Sequence, residues 1–357
     1  GVVGTELGIE MADRGHAVHF ITSYIPMRLR PSKLITFHEV EVMSYPLFEH
    51  APYVLALASK MAEIAHYEKL DVLHVHYAIP HAAAAYLAKK INANKLKIVT
   101  TLHGTDITLI GNDRTFLPVT KFSIEASDGV TAVSRFLKRV TLKEIKARKD
   151  IRVIPNFINT RVYRRAGDES CRRKIARGNE KVLIHVSNFR PVKRIDDVVM
   201  IFKRVLQKVP CRLLLVGDGP ERSRIESLVR HERLQERVHF LGKQESVIEL
   251  FCCSDLLLLP SETESFGLAA LEAMSCSVPV IASRVGGLPE VVAHGETGYL
   301  HPVGQVEAMA DSAVALLKND RAWHRMSTMC RLRAERSFSV ERILPRYEKF
   351  YSEILNG

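Results

Sequence analysis

The feature that most constrains this sequence is a run of four leucines, Leu256–Leu259, followed by a short loop and an apolar helical pattern. A short apolar run bounded by turn residues predicts a strand that is buried on both faces. Pro260 ends the run, and a helix is predicted to begin near Phe266 and to continue through Met274. A buried strand that leads through a loop into a helix is the repeating unit of α/β proteins.

Similar strand and helix patterns alternate through both halves of the 357-residue chain, which predicts an α/β fold with parallel sheets. The length indicates two domains, and a basic, irregular stretch after Asn156 places the boundary between them. We predict an N-terminal domain over residues 1–160, a C-terminal domain over 161–338, and a last helix over 339–357 that packs back toward the N-terminal domain. The chain opens directly in a helix, so the first strand of the N-terminal domain and its glycine loop are expected to be missing.

Composition narrows the possible partners. The net charge is +11, but the basic residues are spread out and lack an aromatic-rich basic stripe. We therefore expect a solvated basic surface and no nucleic-acid partner. The sequence contains neither a signal peptide nor a run of 18 apolar residues, so neither secretion nor a membrane span is indicated and little membrane contact is expected. The six cysteines form no C-x-x-C pair, which favours a reduced cytoplasmic compartment. A homo-oligomer is left open.

Two acids flank the predicted helix start. Glu264 stands just before the helix, and Glu272 lies two turns further on, about 10 Å along the axis. The first backbone N–H groups of a helix lack partners within the helix and bind phosphates well, while carboxylates accept hydrogen bonds from hydroxyls. The stretch therefore predicts a nucleotide-sugar site. Two unrelated surface acids are the alternative interpretation.

Other candidates follow neighbouring strands. Lys193 lies at a strand-to-helix turn, where its ammonium group can meet a diphosphate, and Arg190 can add a second charge. Gly217 opens a G-x-G turn without the third glycine of a nicotinamide site. Gly286 and Gly287 suit a tight turn or a close backbone approach.

In the first half, three predicted strand ends are polar, and α/β sheets bind ligands at such ends. They carry Tyr77, the pair Thr101 and His103, and Ser134. His103 can contact a sugar hydroxyl, carry a proton or satisfy its loop. His74 and His76 alternate along one strand and lack a third ligand at recognisable spacing, so they predict sheet packing and no metal site.

Several motifs together resemble those of the retaining GT-B glycosyltransferases of family 4. In the second half these are Ser187–Lys193, Val216–Pro220, Gly242–Lys243 and Glu264–Glu272. The strings His74–His81, Thr100–Asp106 and His185–Arg190 resemble the bacillithiol-pathway branch of that family, which transfers N-acetylglucosamine from UDP-GlcNAc to L-malate. The resemblance spans nearly the whole chain and implies two Rossmann-like parallel-sheet domains facing a cleft.

The resemblance also implies roles for individual residues. The catalytic set would be Glu264, Lys193 and His103. Donor binding would fall to Asn188, Arg190, Gly217, Lys243, Ser265, Phe266, Gly267, Leu268, Glu272 and Gly1. Acceptor binding would fall to Tyr77, Thr101 and Lys121. Many relatives carry an arginine five residues before the lysine of the phosphate site, where this chain has Asn188, and Arg190 is expected to compensate.

The expected chemistry follows from the charges. Cleavage of the sugar–phosphate bond develops negative charge on UDP, which Lys193 and the helix N-terminus would stabilise. No carboxylate nucleophile is evident, so we expect attack on the same face as the leaving group, with no cofactor and no metal. The alternatives are a family-4 enzyme with another acceptor, such as inositol phosphate or a lipid, and an inactive nucleotide-sugar-binding protein.

Overall fold

The computed structural model describes residues 2–43, 49–108, 113–165 and 170–357. The chain divides into two compact units. The first comprises Gly1–Asn156 together with Val340–Gly357, and the second comprises Phe157–Ser339. The division falls a few residues away from the boundaries predicted at 160 and 338.

Strands and helices alternate along the described residues. The strands are β1 Val18–Thr22, β2 Ile35–Glu39, β3 Val72–His76, β4 Lys97–Leu102, β5 Gly129–Ala132, β6 Arg152–Val153, β7 Lys181–Val186, β8 Cys211–Val216, β9 Val238–Gly242, β10 Leu256–Leu259, β11 Val280–Ser283 and β12 Gly298–His301. The helices are α1 Val2–Asp13, α2 Tyr53–Tyr67, α3 Ala83–Ile91, α4 Thr105–Thr108, α5 Leu117–Ala126, α6 Arg135–Val140, α7 Ser170–Ile175, α8 Ile195–Leu206, α9 Arg222–His231, α10 Ile248–Cys252, α11 Leu268–Ser275, α12 Leu288–Val291, α13 Val306–Leu317, α14 Asp320–Phe338 and α15 Val340–Asn356. Short helical turns lie at Ala78–Ala82, Thr141–Ile145 and Pro191–Lys193.

The strands of the first unit form a four-stranded sheet, in the order β3-β4-β5-β6, and a pair, β1-β2. All of these neighbours pair in parallel, and His76 at the end of β3 lies opposite Thr101 in β4. Helix α15 belongs to this unit, where the Tyr351 hydroxyl lies 2.6 Å from His74 Nδ1. The ends of β3 and β4 therefore share one edge of the sheet.

The second unit contains a six-stranded parallel sheet in the order β12-β11-β10-β7-β8-β9. The strand order reverses at β7, because the chain continues to β8 and β9 on one side and returns to β10 on the other. Ligands of open α/β sheets bind beyond the carboxyl ends of the strands at such a reversal. The topology therefore directs a ligand to the loops that follow β7 and β10.

Burial explains why these segments form. The four leucines of β10 are at most 1% exposed, as expected for a central parallel strand. In α8, Val198, Phe202 and Val205 follow the helical spacing and are fully buried. The α/β architecture predicted from the alternating patterns is thus confirmed. None of the described helices has the length and apolar character that spanning a membrane requires.

One predicted helix start differs from the structure by two residues. The helix expected to begin near Phe266 begins at Leu268, because Gly267 has a left-handed φ of 97°. Phe266 is instead a buried anchor, and its ring meets the Phe338 ring edge-on at a centroid distance of 5.8 Å. Strand β2 ends at Glu39, because its parallel pairing with β1 ends there.

Gly286 and Gly287 bring the loop after β11 against the loop after β10. The Gly287 N–H donates to the Glu264 carbonyl at 2.8 Å. A Cβ atom added at Gly286, whose φ is +56°, would lie 1.7 Å from that same carbonyl oxygen. Both sequence interpretations, the turn and the close approach, therefore apply to this pair.

This contact predicts unequal effects for two alanine substitutions. Gly295 also has a positive φ, +81°, but an added Cβ there would meet nothing within 4 Å. We expect Gly295→Ala to lower the free energy of unfolding by about 1–2 kcal/mol through backbone strain alone. Gly286→Ala should lower it by about 2–5 kcal/mol, because a steric clash is added. Urea unfolding measures both values, and equal losses would show that the loop has room for a methyl group.

Candidate active site

Lys193 and Glu264 meet at the point where the strand order reverses. Lys193 ends the short helical turn after β7, and Glu264 lies in the loop after β10. The Lys193 Nζ atom donates to Glu264 Oε1 at 2.5 Å, and the side chains are only 19% and 13% exposed. Ser261 Oγ donates to the same carboxylate oxygen at 3.3 Å. The structure thus brings together two of the three predicted catalytic residues in one partly desolvated ion pair.

The backbone N–H groups that are predicted to bind the donor phosphates follow Glu264 directly in the chain. Ser265 and Leu268 are half-buried, while Phe266 and Gly267 are buried at the start of α11. The first N–H groups of α11 have no carbonyl partner within the helix, and the helix dipole gives this end a partial positive charge. The site can therefore hold an anionic group through backbone amides close to the Lys193–Glu264 pair.

Glu272 lies further along the same helix and is 8% exposed. Its Oε1 accepts a hydrogen bond from the Tyr163 hydroxyl at 3.2 Å. Arg331 in turn donates to the Tyr163 carbonyl at 2.6 Å and to the Ser275 carbonyl at 2.8 Å. Tyr163 and Arg331 therefore fix the Glu272 carboxylate, to which the resemblance assigns donor binding.

Tyr163, Arg331 and Ser261 were missed in the sequence. Tyr163 lies in a basic, irregular stretch without periodicity, and Arg331 belongs to a helix more than 150 residues away along the chain. Only Ser261 carried a local signal, because it stands directly after the buried strand β10, at a strand end where ligands bind.

The remaining donor candidates cluster at the same edge of the second sheet. Asn188 and Arg190 follow β7, Gly217 follows β8 and Lys243 follows β9, and the side chains of Asn188, Arg190 and Lys243 are exposed. An added Cβ atom at Gly217, whose φ is +119°, would lie 1.8 Å from the Ser187 carbonyl oxygen. The glycine is therefore needed for the close packing of two loops, while its contact with a donor stays a prediction.

His185 holds the two central strands together beneath this edge. It is completely buried, with Nδ1 lying 2.8 Å from the Leu258 carbonyl oxygen and Nε2 lying 2.8 Å from Ser187 Oγ. The carbonyl can only accept, so Nδ1 carries the proton, and Nε2 accepts from the serine hydroxyl. Burial lowers the pKa of His185 to about 4, so the ring is neutral at pH 7 and serves as a bridge between strands.

The first unit gathers the other predicted residues at the carboxyl edge of β3 and β4. His103 Nε2 lies 2.8 Å from His76 Nδ1, and the rings of His103 and Tyr77 are 5.0 Å apart. Burial lowers the pKa of His103 to about 4. A neutral imidazole donates one hydrogen bond and accepts one, which suits a hydroxyl ligand better than an acid role at neutral pH.

Thr101 occupies a different environment from Tyr77. The threonine is completely buried, and its Oγ1 lies 2.7 Å from both His74 Nε2 and Thr131 Oγ1. His74 thus belongs to a polar network in addition to the predicted sheet packing. A hydroxyl with two partners has little capacity left for a ligand, so an acceptor role for Thr101 stays a prediction.

The last two candidates lie outside this cluster or outside the described structure. Lys121 is half-buried on α5, in the first unit. Gly1 lies outside the described residues. Their proposed contacts with acceptor and donor remain predictions.

Two family models match consecutive parts of the chain. The model "Glycosyltransferase Family 4" matches residues 1–162, and the model "Glycosyl transferases group 1" matches residues 168–333. A relative from Bacillus anthracis, N-acetyl-alpha-D-glucosaminyl L-malate synthase, is 51% identical over 357 residues, which cover 99% of this chain and 94% of the relative.

Solved structures share the fold. Sucrose-phosphate synthase from Thermosynechococcus elongatus has a TM-score of 0.80 at 24% identity, over 99% of this chain and 93% of that one. Anabaena Alr3699/HepE in complex with UDP has a TM-score of 0.73 at 23% identity, over 89% of this chain and 86% of that one. Together with the parallel sheets of both units, the matches establish that the chain belongs to glycosyltransferase family 4 and is a glycosyltransferase of the GT-B fold.

Proposed function

We propose that this enzyme transfers N-acetylglucosamine from UDP-GlcNAc to L-malate with retention of anomeric configuration. The observation that carries the proposal is the Lys193–Glu264 pair at the strand-order reversal, beside the N-terminus of α11. The Bacillus anthracis relative, with its name and its 51% identity over nearly the full length of both chains, supports this choice of donor sugar and acceptor.

The ion pair suggests how the donor is received. Lys193 donates to Glu264 at 2.5 Å, so the two side chains satisfy each other. An incoming diphosphate offers the ammonium group a stronger partner, because charge-assisted hydrogen bonds to phosphate form readily in a partly desolvated site. Glu264 is then free to accept hydrogen bonds from sugar hydroxyls, and Glu272 can accept hydrogen bonds from the ribose of the donor.

The same groups can stabilise the departing UDP. Negative charge that develops on the diphosphate is met by Lys193 and by the backbone amides at Ser265–Leu268, all of which are fixed before the reaction. We propose that the acceptor hydroxyl attacks the face from which UDP leaves and passes its proton to the leaving phosphate. His103, which is neutral at pH 7, would bind a sugar hydroxyl.

The acceptor side is proposed to lie at Tyr77 and Lys121 in the first unit. A malate dianion requires cationic or hydrogen-bonding partners, and the net charge of +11 favours the approach of anionic substrates. We also propose that the enzyme works in the cytoplasm, which fits its six free cysteines.

The acceptor assignment predicts that UDP release from UDP-GlcNAc depends on L-malate. Coupled detection of UDP should show a rate that rises with L-malate and saturates, and NMR coupling constants of the product should show an α-glycosidic bond. Inositol phosphate serves as the comparison acceptor. Equal rates with and without L-malate would contradict the acceptor assignment, and a β-linked product would contradict retention.

The leaving-group role predicts a large loss for Lys193→Met. We expect kcat to fall about 10²–10³-fold, as for removal of one preorganised charge donor. Lys203→Met is the matched control, because Lys203 also forms a partly exposed ion pair in the second unit, with Glu232. The control should stay within about twofold of the parent, since pairs near the surface contribute little. If the two variants reduced kcat equally, the proposed role of Lys193 in stabilising the leaving diphosphate would be wrong.

The proposed mechanism also predicts that the enzyme requires no metal ion. Lys193 and helix amides can supply the positive charge at the diphosphate, so excess EDTA should change malate-dependent UDP release by less than about twofold. EDTA saturated beforehand with Ca²⁺ provides the control. A loss of activity with free EDTA that an added divalent cation restores would show that the proposal is wrong.

A further inference from the structure

We propose that Asp106 and His81 are positioning residues that hold Tyr77 in a constrained backbone conformation beside His103. The inference rests on the proposed function, in which Tyr77 contacts the acceptor and His103 contacts the sugar. Neither Asp106 nor His81 was assigned a role from the sequence.

The conformation of Tyr77 is unusual. Its φ is 81° and its ψ is 134°, a combination that glycine adopts readily and aromatic residues rarely adopt. Such a conformation persists only where the surrounding structure enforces it, and it concentrates at binding and catalytic sites.

Both peptide groups that flank Tyr77 are tethered. On one side, the Tyr77 N–H donates to the Thr101 carbonyl at 2.9 Å, and His81 Nδ1 lies 2.7 Å from the His76 carbonyl oxygen. Because a carbonyl only accepts, His81 donates through Nδ1. On the other side, the Ala78 N–H donates to Asp106 Oδ2 at 2.9 Å. These bonds fix the backbone immediately before and after Tyr77.

Asp106 also binds the loop that carries His103. Its Oδ1 accepts from the His103 N–H at 3.2 Å and from the Gly104 N–H at 2.9 Å. The side chain is buried, with the residue only 2% exposed, and its oxygens are occupied by backbone amides. One carboxylate therefore joins the loop after β3 to the loop after β4 and sets the relative positions of Tyr77 and His103, whose rings are 5.0 Å apart.

Asparagine at position 106 would remove one of these connections. An amide of the same shape can accept from the His103 loop through its oxygen, but its NH₂ group would then face the Ala78 N–H, and two donors cannot bond. Asp128→Asn is the matched control. Asp128 also accepts from a backbone amide of the same sheet, Ile98 N–H at 2.7 Å, but at the opposite end of β4.

Steady-state kinetics give the first test. We expect Asp106→Asn to raise the KM for L-malate at least tenfold and to change the KM for UDP-GlcNAc by less than twofold. His81→Phe should show the same selective pattern, because it loses the tether on the other side of Tyr77 while keeping Asp106. Asp128→Asn should leave both constants unchanged. If both tether variants match the parent, or raise both constants equally, the inference is wrong.

A thermal unfolding cycle tests the inference without any enzymatic activity, and so separates it from the proposed acceptor. Glycine tolerates a positive φ and alanine does not, so Tyr77→Gly should have a higher Tm than Tyr77→Ala while Asp106 is present. In the Asp106→Asn background, this difference should shrink, because the conformation is no longer enforced. The effect of glycine on the unfolded chain is the same in both backgrounds and cancels. An unchanged difference would overturn the inference.

Discussion

Parallel pairing of the strands is the constraint on which both units depend, because it brings the ends of successive strands to one edge of a sheet. In the second unit, this edge collects loops that are far apart in sequence, and the reversal at β7 opens a place between two of them. Lys193 and Glu264 are 71 residues apart along the chain and meet there at 2.5 Å. Sheet topology thus determines where the site lies, because it brings together the loops that carry these side chains.

Close backbone packing then shapes the edge. At Gly217 and at Gly286, an added Cβ atom would come within 2 Å of a carbonyl oxygen in a neighbouring loop. These contacts leave the loops little freedom, so the amides near α11 and the Lys193–Glu264 pair are fixed in advance. A preorganised arrangement of this kind is what the proposed stabilisation of a leaving diphosphate requires.

The first unit achieves the same rigidity with buried polar groups. His74, His76 and His103 are neutral at pH 7, because burial holds the pKa of each ring far below its ordinary value. Neutral rings can form chains of hydrogen bonds without the cost of a buried charge. Asp106 is buried as well, and burial raises the pKa of its carboxyl group, while three backbone amides donate to its oxygens and oppose that shift.

Local sequence patterns predicted the fold class and the family of this protein. Apolar runs such as Leu256–Leu259, and their alternation with helical segments, predicted the parallel α/β architecture, because burial on both faces leaves a plain signature in composition. The motifs around Lys193 and Glu264 identified the family. The exact ends of helices and strands were harder to predict than the fold class. The start of α11 depends on the φ of Gly267, and the end of β2 depends on its partner strand.

The tertiary structure alone decided which groups meet. The partners of Glu272 and of the Tyr77 backbone come from distant segments, namely Tyr163 in the one case and Asp106 in the other. Neither Tyr163 nor Asp106 is identified by a periodicity or a spacing, because a hydrogen bond between residues far apart in the chain does not produce a local sequence pattern. The sequence by itself therefore determined the fold class and the kind of chemistry, whereas three-dimensional packing determined how each reactive side chain is held.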